Sequence, residues 1–169
     1  MLKIIQILFI LLLLSCVNKK KPELQKKETA SITLLTLDPG HFHAALVQKS
    51  MYPEVDSNVY VYAPPGNDLD LHLGRIKSYN SRSENPSHWH QIVYTGNDFF
   101  EKMLQEKKGN LVILSGNNKI KTDYISRALS AGLNVFADKP MVINTSDFIK
   151  LKSAFDIARQ KDVQLYDIM

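Results

Sequence analysis

Short runs of β-branched and apolar residues recur along this chain, each followed by a stretch with helical spacing, and that alternation leaves few folds open. Residues 31–37 (Ser-Ile-Thr-Leu-Leu-Thr-Leu) read as a central parallel strand, and residues 42–50 behind them carry Phe42, Leu46 and Val47 on one side of a helix. Residues 58–63 form the second strand, stopped by Pro64-Pro-Gly66, and residues 69–79 space Leu69, Leu73 and Ile76 as a helix would. Strands at residues 92–94 and 111–114 flank a helix at 99–107. Residues 123–131, 135–137, 146–159 and 163–166 continue as helix, strand, helix and strand, with Thr145 and Ser146 as an N-cap pair. The pattern predicts an α/β fold, a doubly wound parallel sheet of about six strands with helices on both faces. Residues 79–90, rich in Ser, Asn and Arg around Pro86, read as a long surface loop.

A segment of another kind precedes the alternation. Lys3 stands before an apolar run at residues 4–14, too short to span a bilayer as a helix and suited to the h-region of a secretory signal. The run ends in Leu13-Leu-Ser-Cys16, the pattern of a bacterial lipoprotein cleavage box, with the single cysteine of the chain at the position that becomes acylated. The expected organisation is a signal peptide at 1–15, lipidated Cys16 and a polar, Lys-rich tether at 16–30, and one domain at 31–169. A plain signal peptide with an incidental cysteine is the alternative. The expected location is outside the cytoplasm, anchored to a membrane by lipid.

The basic balance belongs to this leader. Of 21 basic and 17 acidic side chains, Lys3 and five Lys with two Glu fall before residue 31, leaving fifteen of each on the domain. A neutral domain argues against nucleic acid as a partner, which would need a basic excess on the fold. With Cys16 lipidated, no thiol remains for a disulfide or a thiolate metal site.

The segment Ala128-Leu-Ser-Ala-Gly-Leu-Asn-Val-Phe-Ala-Asp-Lys-Pro140 reads as helix end, glycine stop at Gly132, short buried strand, and a lysine at the strand tip. Pro140 biases Lys139 toward an extended backbone. From spacing alone, a solvated loop lysine is the ordinary alternative. The wider block, Asn110-Leu-Val-Ile-Leu-Ser-Gly-Asn-Asn118, the helix at 121–131 and Asn134-Val-Phe-Ala-Asp-Lys-Pro-Met141, resembles the centre of the Gfo/Idh/MocA oxidoreductases, the glucose-fructose oxidoreductase and inositol dehydrogenase family. Members carry a strand, a Thr-Pro-Asn-like turn, a helix and then Glu-Lys-Pro.

The resemblance implies a Rossmann-like, NAD(P)-binding domain in which Lys139 is catalytic, lying near the nicotinamide and the substrate hydroxyl to orient the alcohol or share in proton transfer. Asp138 replaces the family glutamate, one methylene shorter, and is equally readable as a turn residue. Ser115-Gly-Asn-Asn118 occupies the Thr-Pro-Asn turn, where the Asn118 amide bonds cofactor, caps the next helix, or both. In the family a second, mostly antiparallel domain supplies the proton acceptor and the usual subunit contact, and this chain stops at Met169, just past the sixth strand. The expectation is therefore the nucleotide-binding half of an oxidoreductase for a sugar, polyol or related hydroxy compound, inactive alone and homo-oligomeric through the second domain. A non-catalytic binding lipoprotein with a decayed cofactor site is the alternative. A plain envelope lipoprotein with a flavodoxin-like domain leaves Asp138-Lys-Pro140 unexplained.

The first turn departs from the family. Where Gly-x-Gly-x-x-Gly lets backbone approach a pyrophosphate, this chain has Asp38-Pro-Gly-His-Phe-His43, keeping only Gly40. Asp38 repels a phosphate, and His43 separates helix from strand. The second strand ends Tyr62-Ala-Pro64 without the acid that would bind a ribose 2′-hydroxyl, so the cofactor is NAD or NADP, the latter requiring Arg75 to swing in. Gly40, His41, Phe42, His43, Ser115, Asn118, Asp138, Lys139 and Pro140 are the expected cofactor contacts. At a helix start the imidazoles of His41 and His43 diverge, so the pair is expected to face nucleotide or substrate, or else to cap or pack, and no metal site is expected. His88-Trp-His90 reads as a loop cluster in which Trp89 packs or stacks on a sugar ring. His72, beside the apolar face of its helix, reads as structural.

Overall fold

The computed structural model describes residues 31–168, so the expected signal, Cys16 and tether lie outside the described residues. Strands β1 (Leu34–Leu37), β2 (Asn58–Tyr62), β3 (His90–Tyr94), β4 (Leu111–Leu114), β5 (Asn134–Ala137) and β6 (Leu165–Asp167) alternate with helices α1 (His43–Leu46), α2 (Asn67–Ser81), α3 (Phe99–Glu106), α4 (Lys121–Ser130) and α5 (Thr145–Lys161). The strands form one parallel sheet in the order β3-β2-β1-β4-β5-β6. This is the doubly wound Rossmann order, and it reverses direction between β1 and β4, where such sheets open a crevice at their carboxyl ends.

Both faces are covered, which is why the inner strands are apolar throughout rather than alternating. All four residues of β1 are buried. Leu35, Leu37, Val112, Leu114, Val135 and Ala137 pack under α3, α4 and α5, while Leu34, Val59, Val61 and Ile113 pack under α1 and α2. Each such Val, Leu or Ile side chain contributes about 1.5–3 kcal/mol by leaving water. Helix α4 ends at Gly132, whose φ of 81° suits a residue without Cβ.

Several local expectations are corrected. Strand β1 begins at Leu34, with Ile32 reduced to a single bridge to Val55, and β3 begins two residues early at His90. Helix α1 is one short turn rather than a helix over 42–50, and Phe42 is exposed instead of packing with Leu46. Helix α5 is capped by Asn144, whose Oδ1 accepts the Asp147 N–H at 2.8 Å. Ser146 supports that cap by donating to the same oxygen at 2.7 Å, so the Thr145 and Ser146 pair lies inside the helix rather than before it.

The supposed surface loop is also tied down. Helix α2 runs on to Ser81, and its Asn80 accepts from Ser87 Oγ at 2.7 Å and from Trp89 N at 3.1 Å while donating to the Trp89 carbonyl at 2.8 Å. Trp89 is buried, its Nε1 donating to the Gln48 carbonyl at 2.6 Å. It is a core residue, not a platform for a sugar ring. His88 and His90 are exposed, and His90 meets Asn58 Oδ1 at 3.1 Å.

Candidate active site at the sheet switch point

Asp38 leaves β1 with a φ of 46°, the left-handed conformation that aspartate tolerates better than most residues. Its Oδ2 accepts the Asn117 N–H at 2.9 Å, which fastens the turn after β1 to the turn after β4. Gly116 makes this approach possible, because a Cβ there would collide with the carboxylate and carbonyl of Asp38. Ser115 completes the junction by donating from Oγ to the His41 carbonyl at 2.9 Å.

A cleft of ≈ 830 Å³ opens above this junction. Gly40 and His41 line it from the β1 side, Ser115 to Asn118 and Lys121 from the β4 side, and Asp138 and Lys139 from the tip of β5. Six of the nine expected contacts thus meet in one place. Phe42, His43 and Pro140 do not line it: Phe42 points outward, His43 sits half-buried behind His41, and Pro140 follows Lys139 through a cis peptide bond. Asn118 lines the cleft but does not cap α4, whose N-cap position is Ile120 and carries no side-chain cap.

The imidazoles of His41 and His43 converge rather than diverge. Their ring centroids are 4.3 Å apart, and both turn Nδ1 to one carboxylate, His43 to Asp138 Oδ1 at 2.8 Å and His41 to Asp138 Oδ2 at 2.9 Å. Helix α1 is too short to carry the side chains apart. Burial would raise the Asp138 carboxyl, but the hydrogen bond and charge of His43, then Lys121 and His41, outweigh it and hold the group below the ordinary carboxylate range.

Lys121 is the functional residue that the sequence reading missed. It is fully buried at the start of α4, lines the cleft, and donates from Nζ to the Asp138 carbonyl at 3.0 Å. Burial lowers its pKa, with the Asp138 and Asp38 carboxylates acting the other way. The signal was present: Lys121 stands three and four residues before Tyr124 and Ile125, on the buried stripe of α4 that continues through Ala128 and Leu129.

The end of the crevice beside β2 is different in character. Asp38 and Asp68, which also line the main cleft, border a recess of ≈ 240 Å³ beside Ala63, Pro64 and Gly66, and no lysine or arginine is among its walls. Arg75 is not among its walls, so the residues present offer no seat for a 2′-phosphate. With α1 reduced to one turn, the usual helix-terminal phosphate seat is missing as well. The described residues thus keep the family groups at the lysine end of the crevice, while its β2 end presents two carboxylates and no cation.

Residues 68–167 match the sequence profile of the oxidoreductase family with an NAD-binding Rossmann fold. The chain belongs to the Gfo/Idh/MocA family. No curated protein matches it. Among solved structures, a Parabacteroides merdae ATCC 43184 protein named as an oxidoreductase is 59% identical over 82% of this chain, with a TM-score of 0.80. That match spans 31% of the Parabacteroides chain, so this chain spans about a third of its relative's length. Two more distant structures show the fold alone. Biliverdin reductase from Synechocystis sp. PCC 6803, in complex with biliverdin and NADP+, is 12% identical over 81% of this chain and 37% of its own, with a TM-score of 0.59. The 3-ketoreductase KijD10 from Actinomadura kijaniata, in complex with TDP-benzene and NADP, is 19% identical over 80% and 36%, with a TM-score of 0.54.

Proposed function

We propose that this Gfo/Idh/MocA domain is the nucleotide side of an oxidoreductase that moves hydride between NAD(P) and a sugar, polyol or related hydroxy compound, with the substrate held largely by a second domain. The observation that carries the reading is Lys139, an exposed ammonium at the tip of β5 that lines the same cleft as Gly40 and Asn118 at the sheet switch point. Bound NAD(P) would supply the hydride acceptor. Lys139 would orient the substrate hydroxyl and help move its proton, Asn118 would bond the nicotinamide or ribose side, and Tyr124, whose hydroxyl burial first of all pushes up to about 12, would stay neutral beside them. The solved ketoreductase of this fold holds NADP, which supports a nicotinamide cofactor by analogy of fold.

The carboxylates of Asp38 and Asp68 favour a second reading, a non-catalytic binding lipoprotein whose cofactor site has decayed. Thermal unfolding with NAD and with NADP separates the two. A ligand bound only by the native state raises the midpoint by mass action, so the oxidoreductase reading predicts a rise of several degrees with one nucleotide at saturation, lost in Lys139→Ala or Asn118→Ala. No rise with either nucleotide contradicts it and leaves the binding module. The leader supports export and a lipid on Cys16. Incorporation of labelled palmitate in a bacterial host, abolished in Cys16→Ser, is the expected result, and an unlabelled wild-type chain contradicts it.

A further inference from the structure

We propose that His41, His43 and Asp138 form a site for a divalent, zinc-like transition ion at the rim of the cleft, a role that goes beyond the nucleotide reading. One donor atom from each residue lies within 4.8 Å of the other two, and the two imidazole Nδ1 atoms are already 2.9 Å and 2.8 Å from the two carboxylate oxygens. An ion with bonds of about 2.0–2.1 Å spaces tetrahedral donors ~3.3 Å apart, so small side-chain rotations seat it. Two imidazoles and a carboxylate are the borderline donor set that zinc, iron(II) and cobalt(II) take with an exchangeable position left over.

The backbone under these donors is fixed by groups that touch none of them. Ser115 Oγ holds the His41 carbonyl at 2.9 Å, and the buried Lys121 Nζ holds the Asp138 carbonyl at 3.0 Å. Such outer hydrogen bonds fix the orientation of the ligands before an ion arrives. His41 is half-exposed, and it lines the cleft with Asp138, so the remaining coordination position faces the space that Lys139 also lines. A water or a substrate hydroxyl or carbonyl oxygen would occupy it. The competing arrangement is a plain carboxylate clamp, and its chemistry differs in one respect. The clamp needs a proton on each Nδ1, whereas an ion replaces both protons.

The test uses the 169-residue chain carrying Cys16→Ser, so that no thiolate competes, stripped with chelator and equilibrated with zinc(II) or cobalt(II) in the absence of nucleotide. Metal content and the visible absorption of cobalt(II) are read. The expected result is one ion per chain, with affinity reduced about tenfold or more in His41→Ala, whose exposed side chain puts folding at little risk, and likewise in Asp138→Asn, while His90→Ala binds normally. An apo chain at every metal concentration, or an ion retained equally by wild type and His41→Ala, overturns the proposal. Because nucleotide is absent, either result leaves the NAD(P) reading to its own measurement.

Discussion

Asp38 shows how one side chain can serve the fold while opposing the family's cofactor. Its left-handed backbone does the work of the first glycine, and its carboxylate satisfies the Asn117 N–H, yet the same residue lines the cleft beside Gly40 where a pyrophosphate would lie. Replacing it by glycine removes the repulsion and keeps the turn. Asp38→Gly is therefore expected to tighten NAD or NADP binding on the order of tenfold by calorimetry, at a cost of about 1 kcal/mol from the orphaned N–H. Unchanged or weaker binding would show that the carboxylate does not face the nucleotide. The residue-scale reading of the sequence recognised Gly40, Asp138 and Lys139 because motif spacing carries them. It passed over Lys121, which the helical stripe of α4 marks as buried but whose bond to the Asp138 carbonyl it does not reveal, and it missed the meeting of His41 with His43 on Asp138, 97 and 95 positions away, which no local pattern encodes.

At the scale of elements, α2 carries a titratable group that the interior keeps neutral. His72 is fully buried, and burial first, with the Arg75 charge second, lowers its pKa to about 4, the nearby Gln91 amide working the other way. Neither ring nitrogen meets a partner within hydrogen-bond geometry among the described residues. The unfolded chain, with an ordinary value near ~6.5, takes up the proton first, so this residue makes the fold lose stability as pH falls from about 6.5 to about 4, by about 3 kcal/mol in all. Urea midpoints at pH 7 and pH 4.5 should show a smaller acid loss in His72→Leu than in wild type, and equal losses would contradict the assignment. The sequence marked His72 as structural from its helical position. The boundaries of α1 and the cap of α5 were harder to read, since Asn144, Thr145 and Ser146 are all cap-forming types and only the Asn144 to Asp147 bond decides among them.

For the molecule as a whole, the alternation of apolar runs and helical spacing was enough to give a doubly wound parallel sheet, while its strand order, β3-β2-β1-β4-β5-β6, comes from the structure. That order alone places the cleft, because a doubly wound sheet opens where its direction reverses. What fills the cleft is a matter of individual side chains, and there the sequence spoke at one end only: Asp138-Lys-Pro140 keeps the family's pattern, while Asp38 to His43 abandons it. The central claim is that a nicotinamide dinucleotide occupies this crevice with Lys139 beside it. Titration of the isotope-labelled chain with NAD and NADP, followed by amide NMR, tests it most directly. The account predicts shifts concentrated at Gly40, Ser115 to Asn118 and Asp138 to Lys139; saturating nucleotide that leaves those amides unmoved, or moves only others, would contradict it.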